Sequence, residues 1–217
     1  MKGESDLDLA EAVSTWVSHA LAGTIGAVVN GLELLKEDGA SPARETVDLV
    51  DGSAVAAARR LKFFRAVFGV ADKGDGDAPA ARALLRDYLA ASRGGAASVE
   101  VEWPEAWSGA ARVDPRVLQL VLAMALFGSE CLLRAGTLAV REDPTGLTVT
   151  AIGGADGRGV RLDEGSAAAL GKTAPPPSPR AVPAFFAARL ARRLGADIRA
   201  AQTDGRIVLT AAPLTPT

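Results

Sequence analysis

Ser18-His19-Ala20-Leu21-Ala22-Gly23-Thr24-Ile25-Gly26-Ala27-Val28-Val29-Asn30-Gly31-Leu32-Glu33-Leu34-Leu35 is the stretch whose reading decides the fold. With Val13 and Val17 just ahead of it, its apolar residues Ala20, Leu21, Ala27, Val28, Leu32 and Leu35 recur at helical spacing. Downstream, Val47, Val50, Ala54, Ala57, Leu61, Phe64 and Phe68 step by three and four without a break, the pattern of a bundle seam. Between the two runs, Asp38-Gly39-Ala40-Ser41-Pro42 combines a helix stop, a cap residue and a proline suited to a first helical position. Residues 6–70 therefore read as a helical hairpin. Two helices bury too little apolar surface to stand alone, so a second copy is expected to complete a four-helix bundle. The expected state is a homodimer.

An Asp- and Gly-rich linker at 71–79 has no apolar period and divides the chain into 1–71, a dimerisation hairpin, and 72–217, a second domain. In the second domain the patterns predict helices near 79–92, 114–134 and 180–194. Strands are expected near 97–103, 136–142, 146–152 and 158–162, with a final hairpin of 196–202 and 206–212 turned by Asp204-Gly205. The proline-rich stretch 172–180 reads as loop. Phe127, Phe185 and Phe186 read as core. The class is α+β: a hairpin joined to an α/β sandwich.

Composition narrows the functions. In 217 residues, 48% hydrophobic, a core is readily buried, and the formal net charge of −2 leaves no broad basic field for a nucleic-acid backbone. A single cysteine, Cys131, forms no intrachain disulfide and supports no Cys/His zinc site. No metal and no cofactor are expected. The polar, acidic start does not read as a signal peptide, and the apolar stretch 117–127, taken as the longest, is too short to span a bilayer. A cytoplasmic protein without membrane or nucleic-acid partners is the expectation.

The chain has one histidine. By the ~100° turn per residue, His19 lies roughly 150° from the seam of its helix and faces away from it. Its stripe neighbours are Ala12, Thr15, Ala22, Gly23 and Gly26, so another protein's surface can approach closely. Counting back from the hairpin apex puts His19 level with residues 61–65, which brings Lys62 and Arg65 into range if they face the same side. Those cations would steady a phosphoryl group or meet an acidic partner, or else are solvated bundle charges. A neutral imidazole has a nitrogen lone pair and is a competent nucleophile for phosphoryl capture. The bland alternative is an ordinary surface histidine.

The stretch from Ser18 to Leu35, followed by Ala58-Arg59-Arg60-Leu61-Lys62-Phe63-Phe64-Arg65-Ala66-Val67-Phe68-Gly69, resembles the ChpT-type histidine phosphotransferases of alphaproteobacteria. That resemblance implies a dimeric histidine-kinase-like bundle joined to a degenerate ATPase-like domain. It also implies that His19 accepts phosphate from the receiver domain of a hybrid histidine kinase and passes it to response regulators. Thr15, Ala22, Gly23, Gly26, Asn30, Lys62 and Arg65 are the candidate partner-binding positions. There is a departure: relatives usually carry an acid directly after the histidine, where this chain has Ala20, and the proline that often follows is Thr24. An acid there helps hold the tautomer and move protons, an effect worth ~10²–10⁴ where fully used, so transfer either runs slowly or draws on a carboxylate from elsewhere.

An ATP-dependent kinase core needs an asparagine on its central helix for Mg²⁺, and the chain's one asparagine, Asn30, lies in the hairpin. Ala123, Met124, Gly128 and Ser129 occupy the corresponding region, and Gly153-Gly154-Ala155-Asp156-Gly157-Arg158-Gly159 reads as a plain turn. The expected function is therefore phosphoryl transfer between receiver aspartates through His19 without ATP. The alternative is a non-catalytic docking adaptor or inhibitor of kinases and response regulators.

Overall fold

The computed structural model describes residues 2–37, 44–69, 77–93, 98–105, 107, 114–143, 146–154, 159–172 and 177–214. Two long helices, α1 (Lys2–Glu37) and α2 (Arg44–Phe68), form the hairpin; the turn at 38–42 lies outside the described residues. Most of the linker at 71–79 lies outside them as well, and α3 (Ala78–Arg93) begins within its last residues. After it come β1 (Val99–Glu102), α4 (Pro115–Cys131), β2 (Gly136–Asp143) and β3 (Gly146–Gly153). The chain closes with α5 (Glu164–Ala169), a 3₁₀ turn (Pro179–Ala181), α6 (Val182–Arg193), β4 (Asp197–Thr203) and β5 (Arg206–Ala212).

The five strands order as β1-β2-β3-β5-β4, with β1 parallel to β2 and the other pairs antiparallel. The class is α+β, as the alternation of patterns implied. A helix that is apolar all round belongs in an interior. Accordingly α4 is buried from Val117 through Ser129, against the sheet on one side and α2, α3 and α6 on the others. The β4–β5 turn at Asp204-Gly205 forms as read, with Gly205 at φ 74°, a conformation that strains any L side chain.

Hairpin and sandwich share one core. Phe63, Phe64 and Val67 at the end of α2 are fully or almost fully buried in the same cluster as Leu85, Phe127 and Leu209. Phe63 stacks on Tyr88 with ring centroids 4.2 Å apart. Gln119, the polar residue inside the apolar run, is buried and donates from Nε2 to the carbonyls of Val67 (2.8 Å) and Gly69 (2.7 Å). It thereby satisfies acceptors at the C-terminus of α2, where the helix has no partners of its own. Phe127 and Phe185 are buried as expected. Phe186 is only half-buried, and its ring edge meets Phe68 at 4.9 Å.

Three expectations need correction. Residue 158 lies outside the described residues, and 159–162 do not add a strand to the sheet: Val160 makes one isolated bridge to Leu132, with Leu133 N–H donating to the Gly159 carbonyl and Arg161 N–H to that of Cys131. Both edges of β2 and of β3 are already occupied, so this segment satisfies the backbone leaving α4 instead. Secondly, α5 was not anticipated, although Asp163 caps it by accepting from Ser166 N–H at 3.0 Å. Thirdly, 117–127 is not the stretch to weigh for membrane spanning. Residues 12–29 contain no Asp, Glu, Lys or Arg, and α1 over Leu7–Glu37 is long and apolar enough, by length and composition, to cross a membrane.

The seam positions divide unexpectedly. Phe64 is buried, whereas Val47, Ala54 and Leu61 on α2 and Leu32 on α1 are exposed in the single chain.

Candidate functional site

His19 is exposed on α1 at the rim of a hollow of about 240 Å³. Trp16 and Ala20 flank it on α1, and α2 contributes Arg60 and Phe64. Tyr88 and Ser92 of α3 and Glu130 of α4 complete the wall. The outward orientation read from the helical turn holds. The cleared patch is one-sided, however: Thr15, Ala22 and Gly23 are exposed and Gly26 half-buried, while the opposite side of the ring faces α2, α3 and α4.

Rings and one guanidinium set the alignment of the two hairpin helices. Trp16 meets Phe64 edge-on at 5.0 Å and Phe68 at 5.7 Å, contacts worth roughly 0.5–1.5 kcal/mol each beyond the area they cover. One turn further along α1, Arg60 donates from Nη1 to the Ala20 carbonyl and from Nη2 to the Ala91 carbonyl on α3. The helix that carries His19 is thus tied to both neighbours one residue past the imidazole.

Lys62 and Arg65 are not brought to His19. Together with Ala66 of α2 and Gly69 just past its end, they line a separate hollow of about 610 Å³ bordered by α3 and α4. The level along the helix was read correctly. The face was not, because a step of two residues from Arg60 to Lys62 turns the side chain by ~200°. Asn30 is exposed well along α1 from the ring. A methyl group at Gly23 or Gly26 would meet nothing within 4 Å, whereas one at Gly31 would strike the Val50 side chain. Gly23 and Gly26 therefore keep a surface open, and Gly31 admits α2.

Sequence reading missed Trp16, Arg60, Tyr88, Ser92 and Glu130. A signal for one of them existed: Arg60 lies one helical turn before Phe64, a seam residue at the level that apex counting assigned to the ring. Nothing local predicts Glu130, whose position depends on where α4 ends in space.

Fold and site together define a helical hairpin displaying one histidine, set against a mixed α/β sandwich. The family model for the histidine phosphotransferase C-terminal domain matches residues 78–206, and the chain belongs to that family, as a ChpT-type protein. It is 34% identical over 146 residues to the protein phosphotransferase ChpT of Brucella abortus (strain 2308), a match covering 63% of this chain and 62% of that relative. The chain thus matches somewhat less than two thirds of that relative's length. A solved bacterial phosphotransferase overlays on 94% of this chain and 96% of its own, with 29% identity and a TM-score of 0.74. The Acinetobacter baumannii histidine kinase AdeS overlays at 9% identity, covering 90% of this chain and 98% of its own, with a TM-score of 0.48, too loose to bear on function.

Proposed function

We propose that this chain is a phosphorelay carrier that takes a phosphoryl group from a receiver-domain aspartate onto His19 and hands it to the aspartate of another receiver, without using ATP. The observation that carries the reading is the exposed imidazole at the rim of its hollow, beside small residues that let a partner surface close on it. In the transfer a ring nitrogen lone pair attacks phosphorus, and the P–O bond to the aspartyl carboxyl breaks. The donor is the receiver of a hybrid histidine kinase, and the acceptors are response regulators.

The docking surface is the outer stripe of α1: Thr15, Ala22, Gly23, Gly26 and Asn30. Lys62 and Arg65 form its charged margin, reached only by a partner that extends over α2. Interfaces of about 800 Å² per partner are broad enough for that. Homodimerisation is part of the proposal, supported by apolar residues left exposed along the hairpin, among them Ile25 (51%) and Leu61 (49%). We place the protein in the cytoplasm.

Independence from ATP is supported by what fills the central helix. Ala123, Met124, Gly128 and Ser129 are all buried, and the Ser129 hydroxyl donates to the Leu126 carbonyl at 2.7 Å. A side chain at Gly128 would meet Leu138 at 3.2 Å and Val149 at 3.5 Å, so this face is committed to the sheet. An alternative reading, a docking adaptor without chemistry, is favoured by Ala20 standing beside the histidine.

Incubation with a receiver domain charged by radiolabelled acetyl phosphate separates the two. Label on the wild type and none on His19→Ala supports the carrier; binding without label supports the adaptor. Tight nucleotide binding in a calorimetric titration overturns the ATP-independent reading. Light scattering tests the dimer, and flotation with phospholipid vesicles tests whether α1 instead enters a bilayer.

A further inference from the structure

We infer that Glu130 is the positioning residue for the His19 ring, a carboxylate supplied by the trailing domain to a hairpin that has none at that level; the inference rests on the phosphorelay reading. Along α1 the neighbouring carboxylates are Glu11 and Glu33, eight and fourteen residues from His19. At 1.5 Å rise per residue they lie roughly 12 and 21 Å away along the axis, out of reach of the ring. On α3, Asp87 faces the other hollow, with Lys62 and Arg65. Glu130 lines the hollow of His19 itself.

Its placement on α4 sets it apart. From Val117 to Leu132 every residue is buried except Glu130, which emerges one residue before the helix ends and opens onto the hairpin. Among the described residues, the other ionisable groups lining this hollow besides His19 are Arg60 of α2 and Tyr88 of α3. Arg60 has two guanidinium nitrogens engaged with the carbonyls of Ala20 and Ala91, so it serves chiefly to fix α1.

In the transfer, the lone pair of one ring nitrogen bonds to phosphorus. The P–O bond to the partner's aspartyl carboxyl breaks and that carboxylate leaves with the electron pair. The phosphorylated ring keeps its N–H on the other nitrogen and gains a positive charge. The Glu130 carboxylate accepts the hydrogen bond from that N–H, selects the tautomer whose lone pair points outward, and compensates the charge; no proton leaves the pair.

The test measures single-turnover transfer from a receiver domain charged with radiolabelled acetyl phosphate to the full chain. Glu130→Gln lowers the first-order rate at saturating receiver on the order of tenfold or more, with the half-saturating receiver concentration and the melting temperature unchanged. Glu130→Asp recovers part of the rate, and adding Ala20→Glu to Glu130→Gln recovers it from the other side of the ring. An undiminished rate in Glu130→Gln, with wild type labelled on His19, overturns the inference and leaves the carrier reading standing. A raised half-saturation with an unchanged maximal rate assigns Glu130 to docking and overturns it too. No label on wild type removes both.

Discussion

Arg60 on α2 holds the carbonyl of Ala20 on α1 at 2.8 Å, one residue beyond the histidine, and with its other terminal nitrogen holds the Ala91 carbonyl of α3 at 2.9 Å. One planar cation thus joins three helices at the level of the site, a task a lysine cannot perform with a single nitrogen. Arg60→Lys is expected to lose one of the two bonds and Arg60→Met both. At about 1.5–3 kcal/mol for a hydrogen bond to a charged group, discounted for partial exposure, Arg60→Met costs about 2 kcal/mol. Thermal melting then falls by several degrees, about 2–4 °C per kcal/mol in a chain of this size. Arg60→Lys falls between wild type and Arg60→Met.

The glycines of α1 are expected to respond with opposite signs. Gly31→Ala places a methyl group on the Val50 side chain, and overpacking of about 1–3 kcal/mol exceeds the helix-propensity gain of about 1 kcal/mol, so the variant melts lower. Gly23→Ala meets nothing in the single chain and gains about 0.5–1 kcal/mol of stability. The same variant is expected to weaken receiver binding, because the added methyl stands beside the approach to His19. Calorimetric melting and a receiver titration read the two effects separately.

Acid weakens the capping of α4 and α5. Partial burial works to raise the Asp114 carboxyl, but the hydrogen bonds from the Arg116 side chain and backbone, together with its charge, outweigh burial and hold it below its ordinary 3.8. Asp163 is likewise brought down, against the pull of burial, by hydrogen bonds from Ser166 and the nearby backbone. As pH falls the unfolded chain takes up these protons before the folded one. Their contribution is therefore present above pH 3.8 and lost as pH drops through the depressed folded values. Asp114→Ala removes about 0.5–2 kcal/mol at pH 7. The gap between the melting curves of wild type and variant is expected to close between pH 5 and roughly pH 2.

Cys131 is expected to be chemically silent in the folded chain. Burial, then the negative charges of Asp163 and Glu130, push its thiol from 9.0 up to about 12. The thiolate is the reactive form, so iodoacetamide at pH 8.5 labels the native protein far more slowly than the denatured one. The raised value also carries a stability consequence. Its contribution is full below pH 9, where both states are protonated, and is lost as alkaline pH approaches the folded value. Cys131→Ala removes that alkaline slope while leaving phosphoryl transfer in place.

What the amino-acid sequence determined by itself is local. Apolar residues stepping by three and four make the hairpin, Asp204-Gly205 closes the last pair of strands, and a turn of ~100° per residue aims His19 away from its seam; each depends on neighbours a few positions apart. Only the tertiary structure decided what stands opposite the ring. Lys62 and Arg65 are close in sequence to Arg60 yet face another hollow, and Glu130, 111 positions from the histidine, lines the same hollow because α4 ends there. Gln119, a polar residue in an apolar run, becomes intelligible once α2 is seen to end above it. These placements follow from the angles at which helices pack, which arise from many side chains fitting at once, and no periodicity along one segment encodes them.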